Sequence, residues 1–435
     1  MPKKKTALTI EERLQQALVP AEEQPYEVPE NWVWVRLIGN VNSCLDGYRK
    51  PINSSERAKR VGKVPYYGAT GQVGWIDDYL TNEHLVLLGE DGAPFLDLLK
   101  DKAYIIFGEA WVNNHAHILK SYFGEIGNVF LMHYLNMVDY KDYVKGTTRL
   151  KLTQGSMQLM PFPLPPLSEQ QRIVERIEEL FAKLDEAKER LQEVADSFAV
   201  RKAAILHKAF TGELTQQWRC ENGVSDESWE EKKLGEVALL LSGQDFSPTK
   251  YNSDGNGIPY ITGASNFDDT HILINRWTDE PSVIAQENDV LLVCKGSGYG
   301  KTIIADFKEA HIARQIMALR VKEIIDNNLL LYYLRNKNRF IKEQGQGLIP
   351  GLSRKVILSL TINLPTLPEQ HEIVRLIDDL LARERTAQQA AEQALASIDL
   401  MKKSVLARAF RGELGTNKAS EASALELLRQ VLAEG

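Results

Sequence analysis

The stretch LPPLSEQQRIVERI at Leu164–Ile177 returns as LPTLPEQHEIVRLI at Leu364–Ile377. Residues 163–214 align with residues 363–414 without a gap, and 19 of the 52 aligned positions are identical. The copies also end alike, in KAFTGEL and RAFRGEL. The sequence before each copy is of domain size and differs between the two halves. The chain is therefore predicted to contain one repeated segment that alternates with two unlike domains.

Each copy begins with the signals of a helix N-terminus. Ser168 and Gln171 have capping-box spacing, as do Thr366 and Glu369, and Pro368 stands in a first turn, where its missing N–H costs little. Apolar residues then follow at alternating steps of three and four, which is a heptad seam. The seam positions are Ile173, Ile177, Leu180, Leu184, Ala187, Leu191, Val194, Phe198 and Ile205, then Ile373, Ile377, Leu380, Ala387, Ala391, Ala394, Ile398, Met401 and Val405.

Two helices with matched phase, length and ends are expected to pack against each other. Because a globular domain joins them, an antiparallel pair is favoured, and the alanine-rich middle of the second seam lets another helix come close. A helix from Ser168 to Phe210 would be about 65 Å long. The alternative is that each helix is buried separately in its own domain.

Composition sets the broad class of protein. The 435 residues are 43% hydrophobic and 26% charged, which indicates several ordinary globular domains. The sequence has no apolar run of about eighteen residues and no secretory signal, and Cys44, Cys220 and Cys294 show no CxxC spacing. We therefore expect a cytoplasmic protein. The net charge of −7 means that, if DNA is the ligand, partner subunits supply much of the phosphate contact.

The two unlike domains share a skeleton. VPYYGATG (Val64–Gly71) echoes IPYITGAS (Ile258–Ser265), and the apolar run in HLVLLGEDGA echoes that in DVLLVCKGSG. FLMHYL and LLLYYL are each predicted to form a short helix, and a basic glycine-rich stretch precedes each repeat. The framework persists while the side chains in the turns differ. This pattern is expected of two modules that do one job on different targets.

The repeated motif PLPPLSEQQRIVERIEELFAKLD, with its second copy LPEQHEIVRLIDDLL, resembles the specificity subunits of type I restriction–modification systems. The resemblance covers nearly the whole chain. It implies an α+β fold in which two target-recognition domains are separated by two long helices, packed as an antiparallel coiled coil in a circular, pseudo-two-fold arrangement. The short amphipathic segments at the two ends of the chain fit that arrangement if they lie close together.

The resemblance implies a division into six segments. They are an N-terminal segment (1–25), recognition domain 1 (26–163), the central helix (164–214), recognition domain 2 (215–363), the C-terminal helix (364–414) and a helical tail (415–435). Each recognition domain would read one half of a bipartite DNA target, and the helices would set the spacing. The chain would have no catalysis and no cofactor of its own. Two modification subunits that methylate adenine with S-adenosylmethionine would dock on it, and restriction subunits could join the complex.

Candidate DNA-binding residues lie in the basic and glycine-rich stretches of both domains. Arg and Lys suit phosphate or guanine, and Gln pairs with adenine through two hydrogen bonds. In domain 1 the candidates are Arg49, Lys50, Arg57, Lys59, Arg60, Lys63, Tyr67, Thr70, Gln72, Arg149 and Lys151. In domain 2 they are Lys295, Ser297, Tyr299, Lys301, Arg354 and Lys355. Solvated surface loops are the alternative for the basic stretch at 47–63 and for the loop at 295–301.

Other motifs carry less weight. KGSGYGKT (Lys295–Thr302) lacks the first glycine of a phosphate-binding loop. His115 and His117 have the spacing of a metal pair on one strand face, but no third ligand is definable, so no metal is expected. The sequence contains no N/D-P-P-F/Y motif of an adenine methyltransferase and no helicase motif. The rival to a DNA-reading subunit is a non-catalytic scaffold, in which a coiled-coil strut separates two binding modules.

Overall fold

The chain divides into two units, each of which combines helices with β-sheets. Unit 1 comprises Met1–Gln192 with Gln393–Gly435, and unit 2 comprises Glu193–Glu392. None of the helices in the described part of the chain is long and apolar enough to cross a membrane. The computed structural model describes residues 9–268, 270–296, 298–343 and 351–434.

Two helices are much longer than the rest, and they coincide with the sequence repeat. The helices are α1 (Ile10–Ala17), α2 (Ser54–Arg57), α3 (Gly124–Met137), α4 (Gln154–Leu159), α5 (Leu167–Phe210), α6 (Gln216–Asn222), α7 (Leu234–Val237), α8 (Asn327–Asn336), α9 (Asn338–Glu343), α10 (Arg354–Ser359), α11 (Leu367–Ala409) and α12 (Ala424–Glu434). Each unit contains one part of α5 and one part of α11.

The strands are short and belong to the globular parts. In unit 1 they are β1 (Val33–Arg36), β2 (Asn42–Cys44), β3 (Val64–Gly68), β4 (Gly71–Ile76), β5 (Thr81–Asn82), β6 (Leu85–Gly89), β7 (Ala103–Ile106), β8 (Glu109–Val112), β9 (Ala116–Ser121), β10 (Val144–Lys145), β11 (Lys151–Leu152) and β12 (Pro161–Leu164). In unit 2 they are β13 (Glu230–Lys233), β14 (Ala238–Ser242), β15 (Ile258–Ile261), β16 (Trp277–Thr278), β17 (Ile284–Gln286), β18 (Val290–Val293), β19 (Thr302–Ile304), β20 (Glu309–Ile312), β21 (Ile316–Val321) and β22 (Thr361–Leu364).

Both units use one sheet topology. Unit 1 has two four-stranded sheets in the orders β2-β9-β6-β7 and β4-β3-β8-β5, and β1 pairs with β12. Unit 2 repeats this plan as β14-β21-β18-β19 and β16-β15-β20-β17, with β13 paired to β22. Even the parallel pair is repeated, since β3 runs parallel to β8 and β15 runs parallel to β20. The shared skeleton in the sequence is therefore one fold used twice.

The core of each unit lies between a sheet and a helix. Every residue of β6 and of β18 is buried, which explains why both strands read as continuous apolar runs. As predicted, FLMHYL and LLLYYL are helical, in α3 and α8. The hydroxyl of Tyr134 donates to the carbonyl of Pro161, and that of Tyr333 donates to the carbonyl of Thr361 at 2.6 Å. The same tyrosine position thus attaches the helix to β12 in unit 1 and to β22 in unit 2.

The two long helices lie antiparallel in each unit. In unit 1, Lys402 of α11 pairs with Asp185 of α5 at 2.6 Å, and Lys188 pairs with Asp399 at 3.0 Å. In unit 2, Arg201 of α5 pairs with Glu384 of α11 at 2.9 Å. The residue numbers rise along one helix as they fall along the other. The prediction of an antiparallel pair is therefore confirmed.

The heptad seam is only partly a helix–helix contact. Ile173 and Ile177 belong to the core of unit 1, and Ile373 and Ile377 belong to the core of unit 2, so the start of each helix packs on a globular domain. Met401 is 51% exposed, although the heptad pattern places it on the seam. Its neighbour Lys402 instead lies 5.0 Å from the Phe181 ring in a cation–π contact.

The first turn of each long helix holds a buried glutamate rather than the predicted capping box. In unit 1, Glu169 is fully buried and accepts hydrogen bonds from Trp32 at 2.8 Å and Asn417 at 2.9 Å. The side chain of Gln171, which the capping box would turn back to the helix start, donates instead to Glu175 at 2.9 Å. A neutral indole and a neutral amide satisfy the carboxylate, so burial does not leave it without donors.

In unit 2 the equivalent glutamate also forms an ion pair. Glu369 is also fully buried and accepts from Trp229 at 3.1 Å and from Thr215 at 2.7 Å. It also accepts from Arg219 at 2.8 Å, and that side chain is only 8% exposed. In both units the glutamate therefore joins three parts of the chain: the start of one helix, the domain that precedes it and the segment that follows the other helix.

The two terminal helices pack against each other in unit 1. Leu14 and Ala17 of α1 share a core with Leu428 and Leu432 of α12. The amide of Ala424 at the start of α12 donates to the carbonyl of Asn31 at 2.8 Å. The expectation that the first and last amphipathic segments lie together is therefore confirmed.

We expect Glu369→Gln to destabilise the protein more than Glu169→Gln. Loss of the Glu369 charge leaves the buried Arg219 guanidinium with only the exposed Asp226, at 2.8 Å, as an ionic partner, and should cost about 3 kcal/mol. Glu169 receives neutral donors, so the loss of its charge should cost about 1 kcal/mol. Urea unfolding followed by tryptophan fluorescence measures both losses. Glu189→Gln, at an exposed helix position, is the control and should change stability by less than about 0.5 kcal/mol. Equal losses at positions 169 and 369 would contradict this account.

Candidate nucleic-acid interface

Five loops of unit 1 meet at one edge of its sheets, and main-chain hydrogen bonds hold them there. The amide of Lys50 donates to the carbonyl of Val112 at 3.1 Å, and that of Asn113 donates to the carbonyl of Tyr67 at 3.1 Å. The amide of Glu90 donates to the carbonyl of His115, and the carbonyl of Glu90 accepts from the amide of Leu152, at 2.8 Å each. We call this group loop cluster 1. It comprises residues 46–50, 67–72, 90–92, 113–115 and 145–152.

Unit 2 has the same arrangement at the same positions of its fold. The amide of Gln244 donates to the carbonyl of Ile312, and that of Ala313 donates to the carbonyl of Ile261, both at 2.9 Å. Cys294 occupies the position of Glu90. Its amide donates to the carbonyl of Gln315 at 2.8 Å, and its carbonyl accepts from the amide of Leu352 at 3.0 Å. This group is loop cluster 2. It comprises residues 243–246, 261–265, 294–296, 298–301, 313–315 and 351–355.

The candidates of domain 1 fall into two neighbouring groups. Thr70, Gln72, Arg149 and Lys151 are exposed and belong to loop cluster 1, as does the half-buried Tyr67. The second group begins with Lys50, the last residue of the first loop, and continues with Arg57, Lys59, Arg60 and Lys63 onto the sheet that contains β3 and β8.

Aromatic rings hold the two arginines of the second group. The guanidinium of Arg57 lies 4.8 Å from the Tyr66 ring, and that of Arg60 lies 4.6 Å from the Trp111 ring. Arg60 also pairs with Asp77 at 2.6 Å. The basic stretch is therefore attached to the domain surface and is not a free loop.

The candidates of domain 2 are less uniform. Lys295 and Lys301 are exposed in loop cluster 2, and Arg354 and Lys355 are exposed at the start of α10. Tyr299 is only 8% exposed, and its hydroxyl donates to the carbonyl of Ile341 at 2.8 Å, so this ring serves the core. Ser297 lies outside the described residues.

The described residues at the end of KGSGYGKT, Gly298–Thr302, do not form a phosphate cradle. The amide of Gly300 donates to the carbonyl of Val293, and that of Lys301 donates to the carbonyl of Gly298, both at 2.9 Å. A phosphate-binding loop needs such amides free to point at the ligand. The amides of Gly300 and Lys301 are thus already used by main-chain carbonyls, which makes this part of the loop a structural turn.

A charged network lies beneath loop cluster 1. Arg49 pairs with Asp46 at 2.9 Å and also with Glu90, and Lys151 pairs with Glu90 at 2.8 Å. His117 contacts Asp46 at 2.7 Å through Nδ1 and the carbonyl of Leu152 at 3.0 Å through Nε2. Nothing in the sequence signals this supporting role of Asp46 and Glu90, because acidic side chains are not expected in a loop that approaches phosphate.

The network changes the acidity of its members. Burial by itself raises the pKa of Asp46, but the hydrogen bond from His117, the His117 charge and the Ile118 amide outweigh it, so that pKa lies below its usual value. The pKa of Glu90 is also lowered, because Lys151 and Arg49 outweigh the effect of burial. Burial, together with Asp46, raises the pKa of the Cys44 thiol to about 12.

The donor set around His117 favours a structural role over a metal site. Cys44, Asp46 and His117 lie close enough together to hold an ion. However, Asp46 already pairs with Arg49, and a thiol of raised pKa is a poor ligand because metals bind the thiolate. His115 lies in the turn before β9 and contacts Asp91 at 2.7 Å, so the two histidines do not form a pair on one strand face.

Exposed polar residues at the β8–β9 and β20–β21 turns were missed by the sequence analysis. Asn114 and Arg314 are exposed, and Gln315 stands beside Arg314 in the second turn. The turns occupy the same place in the two loop clusters. The signal that identifies them is the pairing of NNH with ARQ when the two domains are aligned strand by strand.

A sequence model of one family matches both halves of the chain. It is described as the type I restriction modification DNA specificity domain, and it matches residues 29–196 and again residues 226–394. A putative type I restriction enzyme specificity subunit of Haemophilus influenzae is 27% identical over 78% of this chain and 86% of its own length. The EcoDI specificity subunit of Escherichia coli is 23% identical over 94% of this chain and 96% of its own length.

Solved structures show the same fold. The HsdS subunit from Thermoanaerobacter tengcongensis has a TM-score of 0.63 at 22% identity, and it matches 90% of this chain and 100% of its own. A chain from a study of assembly and conformational transition of the type I R-M system has a TM-score of 0.67 at 22% identity, with the same coverage.

We expect Asp46→Asn to destabilise unit 1 by about 3 kcal/mol at neutral pH, because it removes one charge from a largely buried pair. The lowered pKa of Asp46 means that its contribution is present above the unfolded pKa of about 4 and is lost as pH falls through the folded pKa. The stability of the variant should therefore fall less between pH 7 and pH 3 than that of the wild type. Thermal unfolding at pH 7, 5 and 3 measures the difference. The exposed Asp142→Asn serves as control, and parallel pH curves would contradict the assignment.

Proposed function

The chain belongs to the type I restriction–modification DNA specificity family, and from that premise we propose that its two loop clusters read the two halves of one bipartite DNA sequence. As a specificity subunit it recognises the DNA target and is not itself the catalytic subunit. The proposal adds which surfaces read the DNA and how the work is divided between them.

One observation carries the proposal. The two loop clusters are held by equivalent main-chain hydrogen bonds, whereas the side chains that they expose differ. Loop cluster 1 presents Gln72, Arg149 and Lys151, and loop cluster 2 presents Lys295 and Arg314. Side chains that reach base edges specify sequence, so one framework with two sets of side chains is suited to two different half-sites.

The candidate residues divide by how they are held. Arg149 is 60% exposed and is anchored by Asp91 at 2.6 Å, which orients its guanidinium for a base edge or a phosphate. Arg49 is 16% exposed and neutralised by two carboxylates, and Tyr299 is buried, so we assign both a supporting role. We propose the other exposed and half-buried candidates as direct contacts to phosphate or bases.

We propose that much of the affinity for DNA comes from the complex of this chain with its partner subunits. The net charge of −7 is unfavourable for a chain that holds DNA alone, because phosphate contact supplies much of the binding free energy. We propose that modification subunits, which carry S-adenosylmethionine, bind the chain and contribute that contact, with restriction subunits completing the complex. We also propose that the long helices set the distance between the half-sites.

Exchange of one domain tests the division of work. Replacement of residues 26–163 by the matching domain of a relative with a known, different target should change one half of the methylated motif and leave the other half unchanged. Methylome sequencing of cells that contain the hybrid and its modification subunit gives the answer. A change in both halves, or in neither, would overturn the proposal. The scaffold alternative predicts no sequence-dependent complex at all.

The repeated architecture also leads to an expected stoichiometry. Because each unit offers one domain and antiparallel parts of the two long helices, we expect two modification subunits to bind each chain. Native mass spectrometry across a titration measures this ratio. A single modification subunit at saturation would count against equivalent docking sites.

A further inference from the structure

The β20–β21 turn presents one glutamine on a fixed main chain. The amide of Ile316 donates to the carbonyl of Ala313 at 2.8 Å and closes the turn. Cys294 holds the turn from the side, since its amide donates to the Gln315 carbonyl at 2.8 Å and its thiol donates to the Arg314 carbonyl at 3.6 Å. The Cα of Gln315 is therefore fixed by neighbours that do not involve its side chain.

The Gln315 side chain lies in a slot formed by two glycines. A Cβ atom added at Gly263 would stand 2.7 Å from Gln315 Oε1, and one added at Gly296 would stand 3.6 Å from the same atom. The buried Asn266 makes the Gly263 wall rigid, because its Oδ1 accepts from Thr262 at 3.0 Å and from the Gly263 amide at 3.3 Å. The side-chain amide of Gln315 fits into this slot only because neither residue 263 nor residue 296 has a side chain.

The two exposed residues of this turn differ in how their side chains are engaged. Arg314 is paired with Asp245 at 2.5 Å. The side-chain amide of Gln315 makes no hydrogen bond to any protein group within the described part of the chain. A confined, exposed amide with a free donor and a free acceptor matches the N6 and N7 groups of adenine in the major groove.

We propose that Gln315 is a specificity-determining residue that reads an A·T base pair in the half-site of unit 2. The inference rests on the proposed function of the loop clusters and adds one residue and one base pair to it. At the corresponding turn of unit 1 the residue is His115, which is engaged by Asp91 at 2.7 Å and therefore offers different chemistry. The two half-sites are accordingly expected to differ at the base pair beneath this turn.

The test uses the complex of the full chain with its modification subunit. Methylome sequencing first gives the wild-type motif, and binding to a library of randomised duplexes gives the preference at each base pair. Gln315→Ala should lower discrimination at one A·T position by roughly tenfold, because one bidentate contact is lost. Gln315→Glu should shift that position toward C·G, since a carboxylate accepts from cytosine N4.

Two further variants separate reading from folding. Gly263 has extended backbone that any residue adopts, so Gly263→Ala should fold and should displace only the end of the Gln315 side chain. It should relax the same base pair as Gln315→Ala. Gln286→Ala, at an exposed position of β17, is the matched control and should leave the motif unchanged.

Each outcome is decisive for one of the two proposals. An unchanged preference in both Gln315 variants, or a change in the half-site of unit 1, would overturn the assignment of Gln315. A wild-type complex that methylates no bipartite motif would overturn the proposed function itself. Thermal unfolding of each variant confirms that the comparison is made between folded complexes.

Discussion

The fully buried glutamate at the start of each long helix is the interaction on which the rest of the structure depends. Glu169 and Glu369 each connect a helix start to the tryptophan of the preceding domain and to the segment that follows the other helix. A carboxylate without donors is too costly to bury, so all three parts of the chain must be in place together. The joint therefore fixes the domain on the helix and closes the path of the chain in each unit.

The repeat made much of the architecture predictable. It indicated two long helices and their antiparallel pairing, and the echoes between the domains indicated a shared framework. What failed was local. Heptad spacing placed Met401 on the seam between the helices, but its side chain is exposed. The globular domains bury the ends of the long helices, whereas the middles of the helices are thinly packed. Capping-box spacing likewise misassigned Glu369, because a tertiary ion pair with Arg219 outweighs a local cap.

The loop clusters show a second limit of sequence reasoning. Basic composition drew attention to residues such as Arg49, whose charge is used internally by Asp46 and Glu90. Gln315 carries no compositional signal, and its setting depends on Gly263, which lies about fifty residues earlier in the chain. A pattern that only three-dimensional proximity creates is invisible to spacing along the chain. The assignment of individual contacts therefore stays a prediction to which the structure adds geometry.

The main-chain character of the hydrogen bonds in the loop clusters bears on how such a protein evolves. Peptide N–H and C=O groups hold the turns together, and every residue type except proline brings the same donor and acceptor. Residues at the tips are thus free to drift without loss of the turn, while Asn266 and Asp46 are constrained by their side-chain bonds. Selection for a new recognition sequence can act on the tips alone, so a lineage can diversify its targets without rebuilding its fold.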